Sequence, residues 1–391
     1  MLALSFFVAV LVAGCVFLGL VYLLDFQEID NAQKLDAKTL FDMVKLSFGV
    51  VAGAGALVAL VVAYRRQRVD EAGAHREATR LHTERFSQAV DKLGSDSPAV
   101  RLGGVHALAG LADDAPDDDL RQTCIDVLCA YLRLPSPSDP GDLPDLLPDG
   151  TSPTDEQRDA HQAKRDRYLA LREVRHTILR LIGDHYRIPA GVHRSWQGCN
   201  LDLTRVTIDG PLDFTDAVFS DGQVNFASAT FSNSTVRFTR ATFSGSDVNF
   251  TDAKFSSSYV FFDEATFSSG SVFFLLATFA GGIVRFIRAT FSGSYMNFIA
   301  TNFSGGDVRF TGAMFAGGEV QFCEANFSGG DVCFTSAVFS NSGVNFSEAM
   351  FSGGNVDFDR STGPAPAGIL EAAGTPVPAE VRLRPDWLPA G

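Results

Sequence analysis

The sequence predicts a membrane-anchored α + β-solenoid, in which a helical N-terminal part precedes a long stack of short β-strands. Two apolar runs, residues 2–24 and 46–64, indicate the membrane anchor. A repeating unit with the pattern V-x-F-x-x-A-x-F-S-x-x-x indicates the solenoid, and it returns at every twelfth position as far as about residue 360. Its two phenylalanine columns run from Phe214 to Phe358 and from Phe219 to Phe351 without a missing position.

Length, charge and cysteine content narrow the class of protein. The chain has 391 residues with 46% apolar content, which is enough for two or three structural units with a sizeable core. Its net charge of -14 argues against nucleic acid as a partner, because binding to phosphates requires Lys and Arg. The six cysteines form no CxxC pair and no zinc-ligand spacing, so we expect reduced thiols.

The two apolar runs are predicted to form a transmembrane helical hairpin within residues 1–64. At ~1.5 Å of rise per residue, each run is long enough to cross a bilayer. The connecting loop holds three lysines, whereas residues 65–80 hold five arginines. Since positive charge favours the cytoplasmic side, we expect a multi-pass protein of the plasma membrane with both termini and the C-terminal domain in the cytoplasm.

An alternative for residues 2–24 is a signal sequence, and the residues that end at Cys15 (V-A-G-C) resemble a bacterial lipobox. Two features weigh against a lipidated cysteine at this position. No basic residue precedes the apolar run, and nine more apolar residues follow Cys15, where a mature lipoprotein turns polar.

Residues 65–133 are predicted to form a stalk helix and a helix pair. The stalk continues the second membrane helix to about Leu93, because this stretch is charged and contains no proline. Ser97 and Pro98 are typical of a helix start. Apolar residues at three- and four-residue spacing on either side of residues 113–119 predict two antiparallel helices that resemble one HEAT unit. Such a pair cannot bury both faces, so we expect it to pack on a later helix.

The remaining segments connect or close these parts. Residues 134–155 are rich in proline and acid and are predicted to be a flexible linker. Residues 156–200 are predicted to supply a helix over 156–182 and a cap on the N-terminal end of the solenoid. We expect residues 361–391, rich in Pro, Ala and Gly, to be a disordered tail. The alternative is that Leu370 and Trp387 fold back over the C-terminal end.

The spacing inside the repeat predicts extended backbone. Val and the first Phe are two residues apart, and so are Ala and the second Phe. Residues two apart on a strand point the same way, so each unit is two short strands with an apolar pair facing inward. Consecutive pairs follow at steps of five and seven residues.

These five-residue steps, with a small residue two positions before a large Phe, resemble the pentapeptide-repeat family of bacteria. The resemblance covers residues 201–360 and implies a right-handed, four-sided parallel β-helix. The sequence departs from the family pattern, because each second step is two residues longer and often contains glycine. Glycine tolerates positive φ, so we expect longer corners at these steps.

Two consecutive units are then predicted to form one coil of the solenoid. The outward residue between Val and Phe is Asn at 225, 249, 297 and 345 in alternate units, and Arg at 237, 285 and 309 in the intervening units. No Asn or Arg is found in the other set, as a 24-residue period predicts. About six full coils would give a rod of roughly 30 Å.

We find no catalytic motif, and the seven histidines all precede the repeats. The sequence predicts no enzyme activity, no catalytic residue, no metal ligand and no cofactor. The exterior does become apolar around the third and fourth coils, which indicates a contact surface for a protein partner, a second copy or the membrane. The alternative is that the tail or the helical segment covers it. The candidate residues are Tyr259, Phe261, Phe273, Leu275, Leu276, Ile287 and Ile299, with Ile283 and Tyr295 beside them.

Two functions from different classes follow. The first is a non-enzymatic, membrane-anchored interaction or scaffold protein that presents a rigid cytoplasmic rod. The second comes from the resemblance, since some soluble pentapeptide-repeat proteins imitate DNA and inhibit type II topoisomerases. Residues 201–360 hold sixteen Asp or Glu and eight Lys or Arg, so the rod is acidic, but arginines interrupt its negative surface.

Overall fold

The computed structural model describes residues 37–146, 151–340 and 343–388, together with positions 11, 14, 15, 18, 19 and 22. The predicted first membrane helix, residues 2–24, and the loop after it lie outside these continuous ranges. The two-helix hairpin therefore stays a prediction. The chain divides into two compact units, residues 1–80 and 81–391, and each is described by itself.

Helix α1 spans Ala37–Leu93 and contains both the second apolar run and the predicted stalk. It begins before the apolar run because no proline interrupts residues 37–93. In the described part of the chain, α1 is the one helix that is long and apolar enough to cross a membrane. Apolar side chains along its membrane-length stretch are exposed, and Leu60, for example, is 68% exposed.

Three shorter helices form the compact helical part of the second unit. Helix α2 spans Pro98–Asp113, α3 spans Asp118–Arg133 and α4 spans Asp155–Tyr186. Thr154 and Gln157 form a capping box at the start of α4. Helix α2 packs on both α3 and α4, so the predicted packing of the helix pair on a later helix is confirmed. Residues 134–146 of the predicted linker contain no helix or strand.

The repeats form a parallel β-solenoid. Its strands are β1 Leu201–Asp202, β2 Thr207–Ile208, β3 Pro211–Asp213, β4 Val218–Phe219, β5 Gln223–Asn225, β6 Thr230–Ser232, β7 Thr235–Arg237, β8 Thr242–Asn249, β9 Lys254–Ser256, β10 Ser258–Phe261, β11 Thr266–Phe273, β12 Thr278–Arg285, β13 Thr290–Phe291, β14 Tyr295–Asn297, β15 Asn302–Arg309, β16 Met314–Phe315, β17 Glu319–Gln321, β18 Asn326–Cys333, β19 Val338–Phe339, β20 Gly343–Asn345, β21 Met350–Phe351, β22 Asn355–Asp357 and β23 Val381–Arg382. Among the described residues they form one sheet of 11 strands and one of 12.

The strand register confirms the 24-residue coil. Val248 pairs with Val272, which pairs with Met296 in the next coil. The number of coils differs from the prediction, because segments outside the regular repeat continue the stack at both ends. One column of paired residues marks eight levels rather than six: Leu212, Val236, Val260, Val284, Val308, Val332, Val356 and Val381.

The longer, seven-residue step does not always form a corner. Strands β8, β11, β12, β15 and β18 run through it as eight continuous residues, and a β-bulge in β12 shows that a kinked strand replaces the predicted longer corner there. At other seven-residue steps, as between β9 and β10, the strand breaks. Glycine is needed at the bulge, because Gly282 has φ of 84° and a Cβ there would overlap the Ser258 carbonyl oxygen. The tight turns instead fall at the five-residue steps, where residues such as Arg240 and Leu276 adopt positive φ.

Phenylalanine rings fill the interior as continuous stacks. Phe262, Phe286 and Phe310 lie one above another with ring centroids 4.7 Å apart and planes 3° from parallel. All three are completely buried. Because the coil spacing of ~4.8 Å is close to the stacking distance of aromatic rings, each ring packs on the next throughout the solenoid.

Aromatic side chains close both ends of the solenoid. At the N-terminal end, Tyr186 of α4 packs 5.5 Å from the rings of Phe214 and Phe219, which confirms the predicted cap. At the C-terminal end, the ring of Trp387 lies 5.6 Å from Phe358. The Trp387 Nε1 donates a 3.1 Å hydrogen bond to the Gly363 carbonyl.

The predicted disordered tail is wrong for residues 361–388. This segment adds β23, helix α5 (Ile369–Ala373) and a 3-10 turn (Pro385–Trp387). The open end of the stack would otherwise leave the last rings exposed, and this apolar surface holds the segment in place. Trp387 folds back as the alternative predicted, but Leu370 is 38% exposed and its neighbour Ile369 is buried instead.

Candidate functional site

The register divides the predicted apolar residues between two opposite sides of the solenoid. Successive half-coils alternate between the 11-stranded and the 12-stranded sheet, so equivalent residues of consecutive units lie on different sheets. The first patch lies on the 11-stranded sheet and consists of Phe273, Leu275, Leu276, Tyr295 and Ile299. The second patch lies on the 12-stranded sheet and consists of Tyr259, Phe261, Ile283 and Ile287. The sequence predicts a single apolar cluster, whereas the structure divides these residues between two sheets.

The first patch is built from two neighbouring coils. The Phe273 and Tyr295 rings lie 6.1 Å apart, and the Leu276 amide donates a 3.1 Å hydrogen bond to the Ile299 carbonyl. This bond places Leu275 and Ile299 at equivalent positions in adjacent coils, as their 24-residue spacing predicts. Leu276, at the corner, is 53% exposed. Partial burial among these side chains raises the pKa of Tyr295.

The second patch includes a charged neighbour. Tyr259 pairs with Ile283 and Phe261 pairs with Arg285 across adjacent coils. The Arg285 guanidinium lies 4.2 Å from the centre of the Phe261 ring and also forms an ion pair with Asp263. Tyr259 is 48% exposed. This patch is therefore apolar at Tyr259 and Ile283 and charged along one edge.

Within the second unit, none of the described helices packs on either patch. The helical part packs at the N-terminal end of the stack, and residues 361–388 pack at the C-terminal end. The predicted alternative, in which the tail or the helical segment covers the apolar residues, is not observed in the described residues. Both patches are therefore partly exposed surface on an otherwise polar exterior.

Charge is distributed unequally between the two sides. The six half-coils of the 11-stranded sheet that follow β1, residues 217–228, 241–252, 265–276, 289–300, 313–324 and 337–348, contain no Lys or Arg. We call this side the acidic face. Its six acidic residues are all exposed, and none forms an ion pair with another described residue: Asp221, Asp247, Asp252, Glu319, Glu324 and Glu348.

The acidic residues flank the first patch, with Asp247 and Asp252 on one side and Glu319 and Glu324 on the other. Glu324 and Glu348 occupy equivalent corner positions in neighbouring coils, so like charges face each other without a base between them. Like-charge pairs of this kind are destabilising. The acidic face is therefore complementary to a positively charged partner with an apolar centre.

The other side, which we call the mixed face, comprises residues 229–240, 253–264, 277–288, 301–312 and 325–336. It holds every Lys and Arg found between residues 217 and 348. Several of these bases are paired with acids, as Arg240 is with Asp216 at 2.7 Å. Arg237 and Lys254, by contrast, form no ion pair with any described residue. Arg237 pairs with Phe261 of the second patch, and Lys254 lies on β9 of the same half-coil as Tyr259.

The Asn column has a structural cause in the tight turns. The Asn249 side-chain oxygen accepts a 2.9 Å hydrogen bond from the Thr251 amide, and Asn225, Asn297 and Asn345 make the same contact two residues on. The Asn column therefore caps turns of the acidic face and is not a ligand-binding ladder. Phe273 interrupts it and gives up this cap in favour of the apolar patch.

A buried aspartate, Asp113, and a half-buried one, Asp209, join the helices to the solenoid, and sequence reasoning missed both. Asp113 accepts hydrogen bonds from Trp196 Nε1 at 3.1 Å and Arg194 Nε at 3.0 Å. Asp209 accepts from Arg172 Nε at 2.9 Å and lies 3.1 Å from His176 Nε2. Burial acts to raise the pKa of Asp209, but the bonds from His176 and Arg172 outweigh it and lower this pKa to about 2.

The same junction contains a pocket of about 490 Å³ lined by Tyr168, Arg172, Arg175 and Asp209. Arg172 is committed to Asp209, and Arg175 donates to the carbonyls of Leu132 and Thr207. Both arginine side chains therefore already have hydrogen-bond partners within the protein. Within the described residues no group of His, Cys, Asp and Glu has the geometry of a metal site.

Comparisons with protein-family models, curated proteins and solved structures give no match for this chain.

Proposed function

We propose that this chain is a membrane-anchored, non-enzymatic scaffold that presents a rigid cytoplasmic solenoid to a protein partner. The observation that carries the proposal is the uncovered apolar patch of the acidic face. The coil before it carries Asn249, Thr251 and Asp252 at the same positions, so Phe273, Leu275 and Leu276 stand where the solenoid folds without an apolar residue. Contact with another protein accounts for that departure.

The anchor is supported by α1, whose apolar stretch has no protein cover in the described residues. Residues 2–24 would form the first helix of the hairpin, which makes the protein multi-pass in the plasma membrane. The excess of arginine after the second run favours a cytoplasmic C-terminal domain.

The solenoid is proposed to be of the pentapeptide-repeat type, right-handed and four-sided. Its parallel coils, with inward Phe at steps of five and seven residues, support this assignment. Each regular coil also contains four extended segments, as at Thr242–Asn249, Lys254–Ser256 and Ser258–Phe261, where the first strand holds two segments joined by the bulge.

A non-enzymatic role is supported by the state of the most reactive side chains. Burial raises the pKa of Cys124 and Cys129 to about 12 and that of Cys199 to about 11. A thiol with such a pKa is almost entirely protonated at neutral pH and is a poor nucleophile. The histidines at the junction are engaged with Asp113 and Asp209.

Proximity labelling in intact cells, with the full-length chain carrying the labelling enzyme at its C-terminus, tests the scaffold. The matched variant replaces Phe273, Leu275 and Leu276 by Asn, Thr and Asp, the residues found one coil earlier. We expect both chains to sediment with membranes after alkaline washing, and the variant to lose its prominent labelled proteins. An unchanged labelled set would refute the patch as the binding surface, and loss from the membrane fraction would refute the anchor.

A second candidate is DNA mimicry directed at a type II topoisomerase, which the acidic face favours. The face carries six charges over about 30 Å, or roughly one per 5 Å, whereas DNA carries one per ~1.7 Å. This density is about a third of that of DNA and is interrupted by the apolar patch, so we rank the proposal second. A gyrase supercoiling assay with the detergent-solubilised chain separates the two, because mimicry requires inhibition.

A further inference from the structure

We propose that the partner of the acidic face is the mixed face of a second copy of this chain, so that the solenoids associate side by side. This inference rests on the scaffold proposed above and names its partner. Three observations support it, namely the position of the two patches along the solenoid, the charges around them, and their location on opposite sheets.

The two patches lie at nearly the same height in the stack. The first patch spans residues 273–299 and the second spans residues 259–287. Their centres differ by about half a coil, which is roughly 2–3 Å along the axis. Two copies placed side by side without a large shift would therefore bring apolar residues against apolar residues.

Unpaired charges at the level of the patches and one half-coil below them are complementary. Asp247 and Asp252 on the acidic face occupy the same coils as Arg237 and Lys254 on the mixed face. All four are without an ion pair within the described part of one chain. In the proposed contact, Asp247 and Asp252 of one copy lie opposite Arg237 and Lys254 of the next.

Charge also disfavours a symmetric contact between two acidic faces. Contact of one acidic face with another would oppose six unpaired carboxylates to six, with no base to compensate. A contact between unlike surfaces is heterologous and leaves one face free at each end of the pair. Because the two faces lie on opposite sheets, the contact extends into a row of copies rather than closing as a dimer.

The contact needs little intrinsic affinity. Each patch covers only two neighbouring coils, so one contact alone is small. Confinement to one membrane raises the effective concentration of copies, and a row repeats the contact along its length. Weak lateral contacts are then sufficient for association.

The experiment uses two full-length variants with different tags, solubilised in lipid nanodiscs or crosslinked in membranes. The acidic-face variant is F273N/L275T/L276D. The mixed-face variant is Y259T/I283D/I287T, whose new residues match Thr235, Asp307 and Thr311 in neighbouring coils. The control is Met350→Asn, which changes an exposed apolar residue outside both patches to the residue found at 326.

We expect crosslinked ladders from the wild type and from the control, and at least a tenfold loss of crosslinked species for either variant alone. When the two variants are co-expressed, they should form mixed dimers and no higher species, because each variant retains the face that the other needs. Self-association of either variant alone, or failure of the mixed pair, would overturn the proposal. If crosslinking fails but proximity labelling still detects a different protein lost in F273N/L275T/L276D, the scaffold stands and this inference does not.

Discussion

The interior and the exterior of the solenoid follow different rules. Inside, the same Val, Phe and Ala positions recur in nearly every coil, and the rings stack without interruption. Outside, the residues change from coil to coil and segregate by side into an acidic and a mixed face. The interior therefore determines the fold, while the information that distinguishes this solenoid from another of the same fold lies on its surface. Pairs of neighbouring residues with different structural roles test this difference between interior and exterior.

The largest effect is expected from a pair of neighbouring phenylalanines. Phe274 is completely buried in the stack, whereas Phe273 faces outward. Phe274→Ala should lower the free energy of unfolding by about 3–5 kcal/mol, because it leaves a cavity between stacked rings. Phe273→Ala should lower it by less than about 1 kcal/mol. Urea unfolding followed by circular dichroism measures both, and equal losses would contradict the inward and outward assignment.

The next effect concerns two neighbouring glycines at a bulge. Gly282 has φ of 84° and no room for a Cβ, whereas the nearest atom to a Cβ on Gly281 is 3.5 Å away. Gly282→Ala should lower the free energy of unfolding by about 2–3 kcal/mol through backbone strain and displacement of the Ser258 carbonyl. Gly281→Ala serves as the control and should be close to neutral. If the two variants unfold at the same urea concentration, the bulge does not require positive φ.

A smaller, pH-dependent effect is expected at the helix–solenoid junction. The folded pKa of Asp209 is lowered to about 2 from an ordinary 3.8, so its contribution is complete above pH 4 and is lost as pH falls towards 2. Asp209→Asn should lower the free energy of unfolding by about 1–2 kcal/mol at pH 7. The difference between the two chains should disappear near pH 2. A difference that stays constant down to pH 2 would show that the charge of Asp209 is not responsible.

The smallest effect on stability is expected where the effect on association is greatest. F273N/L275T/L276D introduces residues that the preceding coil already carries, and Asn at 273 can restore the turn cap made by Asn249. The free energy of unfolding should change by less than about 1 kcal/mol. A large loss of stability in thermal unfolding would mean that the patch serves the fold rather than recognition.

The sequence was sufficient for the interior and insufficient for the C-terminal end. Inward residues obey a strict period, so the 24-residue coil, the buried columns and the helices could all be predicted from spacing. The closing segment could not, because Val381, which pairs with Val356, falls just past the place that the repeat period assigns, and no Phe accompanies it. Trp387 was the one signal available there, and it is the residue that packs on Phe358.

The candidate surface was predicted only in part. The apolar departures at Phe273 and Leu275 are visible in the sequence, but their division between two faces depends on which sheet each half-coil joins. The segregation of charge was available from the sequence once every second unit was compared separately. The junction at Asp113 and Asp209 could not be predicted, because its partners are distant in the chain and meet only through packing.

The alternation of half-coils between two sheets constrains how such a chain can lengthen. Duplication of a pair of units adds one turn and leaves every later residue on its original side. Duplication of a single unit would still place Val, Phe and Ala inward. It would, however, rotate every later residue by half a coil, so that Glu319, Glu324 and Glu348 would move to the mixed face, which holds the bases. The core packs in the same way for an odd or an even number of added units, whereas the distribution of charge between the two faces depends on that number. Insertions of an odd number of units should therefore yield stable solenoids in which acidic and basic residues are no longer separated between the two faces.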